Sequence, residues 1–451
     1  MKLISTYSVK IKDYNHIFKA SVNKYREAVD FFIDVIDSHW EDFSGLTTKE
    51  ATALAEKLTL PTKKRPVVMH NFNERFYKTP CYLRRSAISE AYGKASSYRS
   101  NLKNWEASDP RTRGKAPSYP KAGYVYPALY KGNMYDGDIR NYTLGIKVFR
   151  NNTWDWISVM LRKSDVDYIK KHCASLKMCS PTLQKRGKEW SLDFPFEEKI
   201  KLPKTVVWGQ TILAVDLGIN NACTCSAMRP DGTVLGRRFL KLPGEYDCLK
   251  RKIGHIKRAQ RHGSGKMPSL WAAAKGVNDD IAVKTANFII DTALLYNVDT
   301  IVMEHLDLGK KKRGSKKQKL ALWRAKYVQA MVEHKAHHNL IHINRVNAWN
   351  TSRLAFDGSG RVLRGRESSK TGDNYSLCEF TTGKVYNCDL NATYNIGARY
   401  FVREILKSLP VTEEQRIRAK VPGCDKRSTC TLSALISLCG ALQSPDCCDA
   451  A

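Results

Sequence analysis

Acidic side chains are scarce in this chain. Its 451 residues include 44 Asp and Glu against 75 Lys and Arg, a formal net charge of +31. So large an excess repels itself unless a polyanion relieves it, which points to nucleic acid as the leading partner. A cationic surface kept for solubility fits less well, because added carboxylates serve solubility better. Long apolar runs are lacking too: none reaches the roughly 18 residues of a membrane span. The nearest approach, Asn287 to Met303, is interrupted by Asp291 and Asp299. No amphipathic anchor suggests a membrane-surface protein. Met1 to Tyr7 lacks the apolar core and small-residue cleavage site of a signal peptide. A cytoplasmic protein is therefore expected, with the 13 cysteines as free thiols.

The first half reads as strands around a helical insertion. Leu3 to Lys10 alternates apolar and polar residues like a strand. Val22, Tyr25, Val29, Phe32, Ile33 and Ile36 recur at helical spacing within 20–40. A second helical stretch covers about Ser86 to Trp105. The Pro/Gly-rich basic segment Pro110 to Pro117 is expected as loop. Strand-like runs follow at Tyr142–Phe149, Trp154–Leu161 and Glu189–Phe194, with Asn151-Asn152 as the turn between the first two.

At Val206 the pattern changes. Thr211 to Val215 is continuously apolar, as expected of a strand buried on both faces. Cys223–Ala227 and Thr233–Leu240 flank the turn signal Arg229-Pro230-Asp231-Gly232. Helices are expected over about 246–261 and 279–296, a buried strand at Thr300–Met303, a helix over 321–339 and a strand at 340–346. A last helix opens at Asp389, which is itself a plausible N-cap. This strand–strand–strand–helix–strand–helix–strand–helix order is that of the ribonuclease H-like α/β fold. In it the first and fourth strands can lie parallel and adjacent, with Asp216 and Glu304 at their carboxyl ends, where α/β sheets place ligands. The last helix can bring Asp389 to the same edge.

Three carboxylates far apart in sequence but convergent in a basic protein suit phosphodiester hydrolysis. That reaction needs an activated water and stabilisation of charge on the attacking and leaving oxygens, which two Mg²⁺ ions supply. Mg²⁺ prefers hard oxygen ligands and keeps several waters, so a few carboxylates suffice. Asp216 is the expected bridging ligand, and Mn²⁺ the expected substitute metal. Taken singly, Asp216 could be a turn residue, Glu304 an ion-pair partner and Asp389 a helix cap. It is their joint placement that suggests a metal site.

The motifs Asp216-Leu217-Gly218-Ile219-Asn220, the strand-borne Glu304 and Asp389-Leu390-Asn391-Ala392-Thr393-Tyr394-Asn395-Ile396 resemble the split RuvC domain of transposon-encoded TnpB nucleases and of type V CRISPR effectors. The resemblance is strong over about 206–405 and weaker before it. It implies an RNA-guided DNA endonuclease whose single RuvC site cuts both strands, with Asp216, Glu304 and Asp389 in the positions of the three catalytic acids. Its partners would be a guide RNA and double-stranded DNA carrying a short adjacent motif, and the protein would sit on the nucleoid when on target. A monomer is expected.

By the same resemblance, 1–18 is the first strand of a wedge β-barrel, 19–107 a helical recognition lobe and 108–205 the rest of the barrel. The nuclease domain would occupy 206–346 and 385–409, split by an insert at 347–384. The tail, 410–451, reads from its own apolar stretch, Leu432 to Leu442, as a short appended helix followed by disorder. The insert departs from the family. Relatives carry one Cys pair after a Thr-Ser dipeptide and a second pair before the last Asp. Here Thr351-Ser352 is followed by no cysteine, and the second half keeps only Cys378. One thiol cannot hold a tetrahedral zinc. No zinc is expected, the insert being a metal-free hairpin, and His334, His337 and His338 are expected on a solvated or RNA-facing helix surface.

Lys250, Arg251, Lys252, Lys257, Arg258 and Arg261 cluster on a helix, while Lys310, Lys311, Lys312 and Arg313 directly follow the Glu304 strand. Such groups would grip an RNA–DNA hybrid by shape and charge, leaving sequence to base pairing. Trp105, Trp154, Trp156, Trp271, Trp323 and Trp349 are candidates to stack on unpaired bases. Two rival readings stay open. One is an RNA-guided DNA-binding repressor that does not cut. The other is a guide-independent nuclease or recombinase of the same fold.

Overall fold

The structure is a computed structural model. It describes all residues except 14–15, 112, 219–220, 264, 266, 307–315, 425–428 and 444–451, and only the backbone over 316–323. The chain divides into two compact units, Lys2–Lys199 and Ile200–Ala451, the latter joined by Met1.

In the first unit, β1 (Lys2–Lys10) pairs antiparallel along its whole length with a later strand, Glu189–Lys199. Helix α1 (Ile17–Ser38) buries Val22, Tyr25, Val29, Phe32, Ile33 and Ile36, the stripe predicted from their spacing. After the single-turn α2 (Trp40–Phe43) comes α3 (Thr48–Thr59), a helix the hydrophobic pattern did not announce. Its signal is the capping box Thr47/Glu50, in which each side chain serves the other's backbone N–H. The short α4 (Phe72–Arg75) precedes α5 (Cys81–Glu106), whose buried Ala87, Ala91 and Ala95 let it lie close to its neighbours. Strand β2 (Tyr135–Asp136) joins the hairpin β3 (Thr143–Arg150) and β4 (Thr153–Met160). The hairpin turns at Asn151 and Asn152, both left-handed, as a two-residue hairpin loop requires. Helix α6 (Lys163–His172) was not foreseen. Strands β5 (Lys177–Met178), β6 (Thr182–Arg186) and β7 (Glu189–Lys199) complete the unit. Hydrogen bonding gives two sheets, β1-β7-β5 with β6 beside β7 and β2-β3-β4, linked by an isolated bridge between Ile11 and Leu161. The ladder is thus two open sheets, where a single barrel was expected.

The second unit is built on a five-stranded sheet ordered β10-β9-β8-β11-β12. Strands β8 (Ile212–Asp216), β9 (Cys223–Met228) and β10 (Val234–Leu240) form an antiparallel meander. Helices α7 (Pro243–Arg261) and α8 (Pro268–Leu295) lead to β11 (Thr300–Glu304), parallel to β8, and α9 (Lys316–His338) leads to β12 (His342–Val346), parallel to β11. This is the predicted element order. Successive strand residues face opposite sides of a sheet. Accordingly Leu213, Val215, Ile301 and Met303 enter one core with Ala282, Ile289 and Val332 of α8 and α9, while Ile212, Ala214 and Val302 enter another.

That other core is filled by the last helices. Strands β13 (Leu363–Arg364), β14 (Leu377–Glu379) and β15 (Val385–Asn387) form a small three-stranded sheet, so the insert adds a strand to the expected hairpin. It is followed by α10 (Cys388–Ser408), α11 (Val411–Lys420) and α12 (Leu432–Gln443). The expected appended helix is corrected here. Leu435 and Leu438 of α12 are fully buried in the same core as Phe401 and Ile405 of α10. The expected disorder after it concerns 444–451, which lie outside the described residues. No helix among the described residues is long and apolar enough to cross a membrane.

Candidate functional site

The site follows from strand parity. Asp216 and Glu304 end β8 and β11, adjacent parallel strands in which Val215 is registered with Met303. Both acids continue the parity of Ile212, Ala214 and Val302, whose side chains lie in the core built with α10. Their carboxylates therefore emerge on the α10 side of the sheet.

Close packing brings α10 there. Gly397 lies so near the sheet that a Cβ would fall 2.5 Å from Met228 Sδ and 3.4 Å from Ala214 Cβ. Ser226 of β9 shares a 2.7 Å hydroxyl hydrogen bond with Thr393, both fully buried. Asp389 then falls in the first turn of α10. It is not the N-cap that the sequence suggested. Asn387 caps the helix, its Oδ1 accepting from the backbone N–H groups of Asp389 and Leu390 at 3.0 Å each. The Asp389 carboxylate is left free and instead accepts from Asn221 Nδ2 at 2.6 Å. Gly218 permits this approach, since a Cβ there would stand 2.7 Å from the backbone oxygen of Asn221.

Glu304 is fixed from two directions. Gln329 Nε2 on α9 donates to its backbone oxygen at 2.8 Å, and the Thr351 hydroxyl donates to its carboxylate. Thr351 belongs to the loop after β12, which α10 holds with a polar stripe at four-residue spacing. Asn391 Nδ2 and Asn395 Nδ2 both donate to Leu354 O at 2.8 Å, and Asn395 also donates to Thr351 O at 2.9 Å. Arg399 Nη1 donates to the carbonyls of Asn347 and Trp349, each at 2.7 Å. Asn391, Asn395 and Thr351 stand in motifs read from the sequence but without these roles, and Gln329 and Arg399 were not singled out. The signal was available as Asn391, Asn395 and Arg399, recurring at four-residue spacing on one face of α10.

The electrostatics are those of crowded acids. Desolvation raises the Asp216 carboxyl well above its ordinary value, and the charges of Glu304 and Asp389 add to this. The Arg364 guanidinium, reaching in from the insert, opposes it. Burial raises Glu304 as well, against the Thr351 hydrogen bond and the charge of Arg399. All three acids keep some exposed surface. Crowded carboxylates with hard oxygen donors are chemically suited to a divalent cation. Among the described residues, however, no three His, Cys, Asp or Glu side chains stand at the spacing of one ion's ligands.

The other expected sites are placed unevenly. Lys250, Arg251, Lys257 and Arg258 are exposed along α7. Lys310, Lys311, Lys312 and Arg313 lie outside the described residues. His337 is lowered by partial burial, and the His334 and His338 rings touch at 4.9 Å. Cys378 is buried beside the thiol of Cys388, the first residue of α10, a pairing the sequence reading did not draw.

Comparison with known proteins gives first the class. In fold the chain resembles the protein of a Cas12f1–sgRNA–target DNA complex, with a TM-score of 0.54 at 15% identity over 85% of this chain and 81% of that one. A C2c1 protein of Alicyclobacillus acidoterrestris bound to single-guide RNA aligns less well, at TM-score 0.41 and 11% identity over 85% and 66%. The fold is thus mixed α/β and similar to that of the Cas12f1 protein. Residues 5–150 match the Aq_aa04 family model. An uncharacterized protein of Aquifex aeolicus (strain VF5), aq_aa04, is 34% identical over 24% of this chain and 68% of its own length. The chain belongs to the Aq_aa04 family.

Proposed function

We propose that this chain is an RNA-guided DNA endonuclease whose second unit is a RuvC-type, ribonuclease H-like nuclease domain. The observation that carries the reading is the placement of Asp216 and Glu304 at the ends of adjacent parallel strands, with Asp389 in the first turn of the helix they face. Asp216, Glu304 and Asp389 would hold two Mg²⁺ ions, or Mn²⁺ in their place. Bound there, the ions would activate water and neutralise charge on the scissile phosphate. The chain's own groups orient the acids: Asn221 sets Asp389, and Thr351 and Gln329 set Glu304. Lys250, Arg251, Lys257 and Arg258 would meet backbone phosphates, as would Lys310, Lys311, Lys312 and Arg313. The formal charge of +31 and the likeness to a protein solved with guide RNA and target DNA support guide RNA and double-stranded DNA as partners. A target-adjacent motif, no bound zinc, a monomeric state and action in the cytoplasm on the nucleoid complete the proposal.

Two observations favour a second reading, an RNA-guided binder that does not cut. Arg364 and Arg399 already offset part of the acidic charge, and no three ligands stand at metal spacing among the described residues. One experiment separates the two. The chain is expressed with its native flanking DNA, the co-purifying RNA is sequenced, and matched targets are incubated with Mg²⁺. Discrete RNA and cleavage abolished by Asp216→Ala support the nuclease. Discrete RNA with binding but no cleavage by the native chain supports the binder. Absence of a discrete RNA would move the reading to an unguided enzyme.

A further inference from the structure

We infer that Trp349 is a stacking platform for an unpaired base of single-stranded DNA beside the three acids. This deepens the nuclease reading and rests on it for the identity of the strand. Six tryptophans were candidates for base stacking, and their surroundings separate them. Trp105 donates to Gly114 O and lies under Arg113, 4.1 Å from its ring centre. Trp154 packs on Phe149, Trp156 lies under Lys147, and Trp271 is packed with Leu249 and Ile256. The Trp323 side chain lies outside those described. Trp349 is 69% exposed, with neither a ring nor a cation against its indole among the described residues.

An indole so exposed is usually expected on a mobile loop, but this loop is braced. The Trp349 backbone N–H donates to Asn347 Oδ1 at 2.8 Å, and the Trp349 and Asn347 carbonyls both accept from Arg399. Arg399 is only 4% exposed, so a buried cation is spent on holding this backbone. Asn350 takes the left-handed conformation, at φ 63°, that turns the chain back into the core. There Thr351, 3% exposed, reaches the Glu304 carboxylate. One short segment thus orients an acid at one end and holds a large aromatic face to solvent at the other. Every base has a π-face, so such a platform accepts any sequence. A strand entering the site needs holding in that way, since its sequence is read elsewhere by pairing. A strongly basic chain further favours a polyanion over a protein partner.

The test uses the intact purified chain in EDTA, with binding of a fluorescein-labelled single strand followed by anisotropy. Trp349→Ala and Trp349→Leu are expected to weaken binding about tenfold, the size of one lost base stack. Trp349→Phe should retain most of the affinity. A strand made abasic throughout should bind the native chain as weakly as the intact strand binds W349A. The salt dependence should stay unchanged, because phosphate contacts are untouched. Equal affinity of native chain and W349A would overturn the inference. So would full rescue by W349L, or self-association of the native chain that W349A abolishes in sedimentation. Because the readout is binding, a chain that stacks single strands through Trp349 but never cuts would sink the nuclease reading alone. A chain that cuts and is indifferent to W349A would sink this inference alone.

Discussion

Asn221 and Asp389 are 168 residues apart in sequence, yet the amide of the first donates to the carboxylate of the second at 2.6 Å. The bond links the turn after β8 to the first turn of α10, the two elements that supply Asp216 and Asp389. A hydrogen bond to a charged acceptor contributes about 1.5–3 kcal/mol. If it serves to aim Asp389, Asn221→Ala should slow single-turnover cleavage by about 10- to 100-fold. Affinity for guide and target should stay the same. Asn221→Asp should be worse, since it sets a fourth carboxylate against the other three. Native cleavage by N221A would show the bond to be structural only.

On the nuclease reading, Asp216 trades stability for function. It is desolvated and faces two other acids, which is costly unless a cation is present. Asp216→Asn keeps the shape and removes the charge. In EDTA it should raise the melting temperature by about 2–4 °C, corresponding to ~1 kcal/mol in a unit of this size. Mg²⁺ should then stabilise the native chain more than D216N, narrowing or reversing the gap. Differential scanning fluorimetry with and without Mg²⁺ checks this. A lower melting point for D216N in EDTA would mean that Asp216 is a structural hydrogen-bonding residue.

Thr351, itself buried, offers one hydroxyl to Glu304 from the loop after β12. Thr351→Val keeps the volume and removes the donor, whereas Thr351→Ser keeps the donor. Cleavage should fall about tenfold or more in T351V and return in T351S, as expected for a charge-assisted hydrogen bond. The Mg²⁺ concentration for half-maximal rate should rise in T351V alone. Parallel losses in both variants would point to packing of the loop instead.

Much of this architecture was legible in the sequence, and the failures have physical causes. The runs ending in Asp216 and Glu304 could be read as strands because a strand covered on both faces must be apolar throughout. Helix α1 was legible from its stripe. The α3 helix was not, because its buried face is mostly Ala51, Ala55 and Thr59, too small and too polar to register as a stripe. Asp389 was misread as a cap because Asn387 and Asp389 are both good caps and stand two residues apart. Only the tertiary partner, Asn221, decides between them. Thr351 carries no local signal of its role, since it acts on a residue 47 positions away.

The C-terminal helix gives the sharpest contrast between sequence and structure. The apolar stretch Leu432 to Leu442 reads equally well as an appendage or as core, and only its contacts choose. Leu435 is fully buried against α10, whereas its neighbour Ile436 is 52% exposed. Leu435→Ala should therefore destabilise the second unit by about 2–4 kcal/mol, the cost of truncating a buried leucine. Ile436→Ala should cost well under ~1 kcal/mol. Because α12 shares its core with the helix that carries Asp389, L435A should also lower the temperature at which cleavage is lost. Chemical denaturation of the two variants side by side decides the matter. Equal and small effects would make the tail an appendage after all, while a large loss confined to L435A places α12 in the scaffold that holds the third acid.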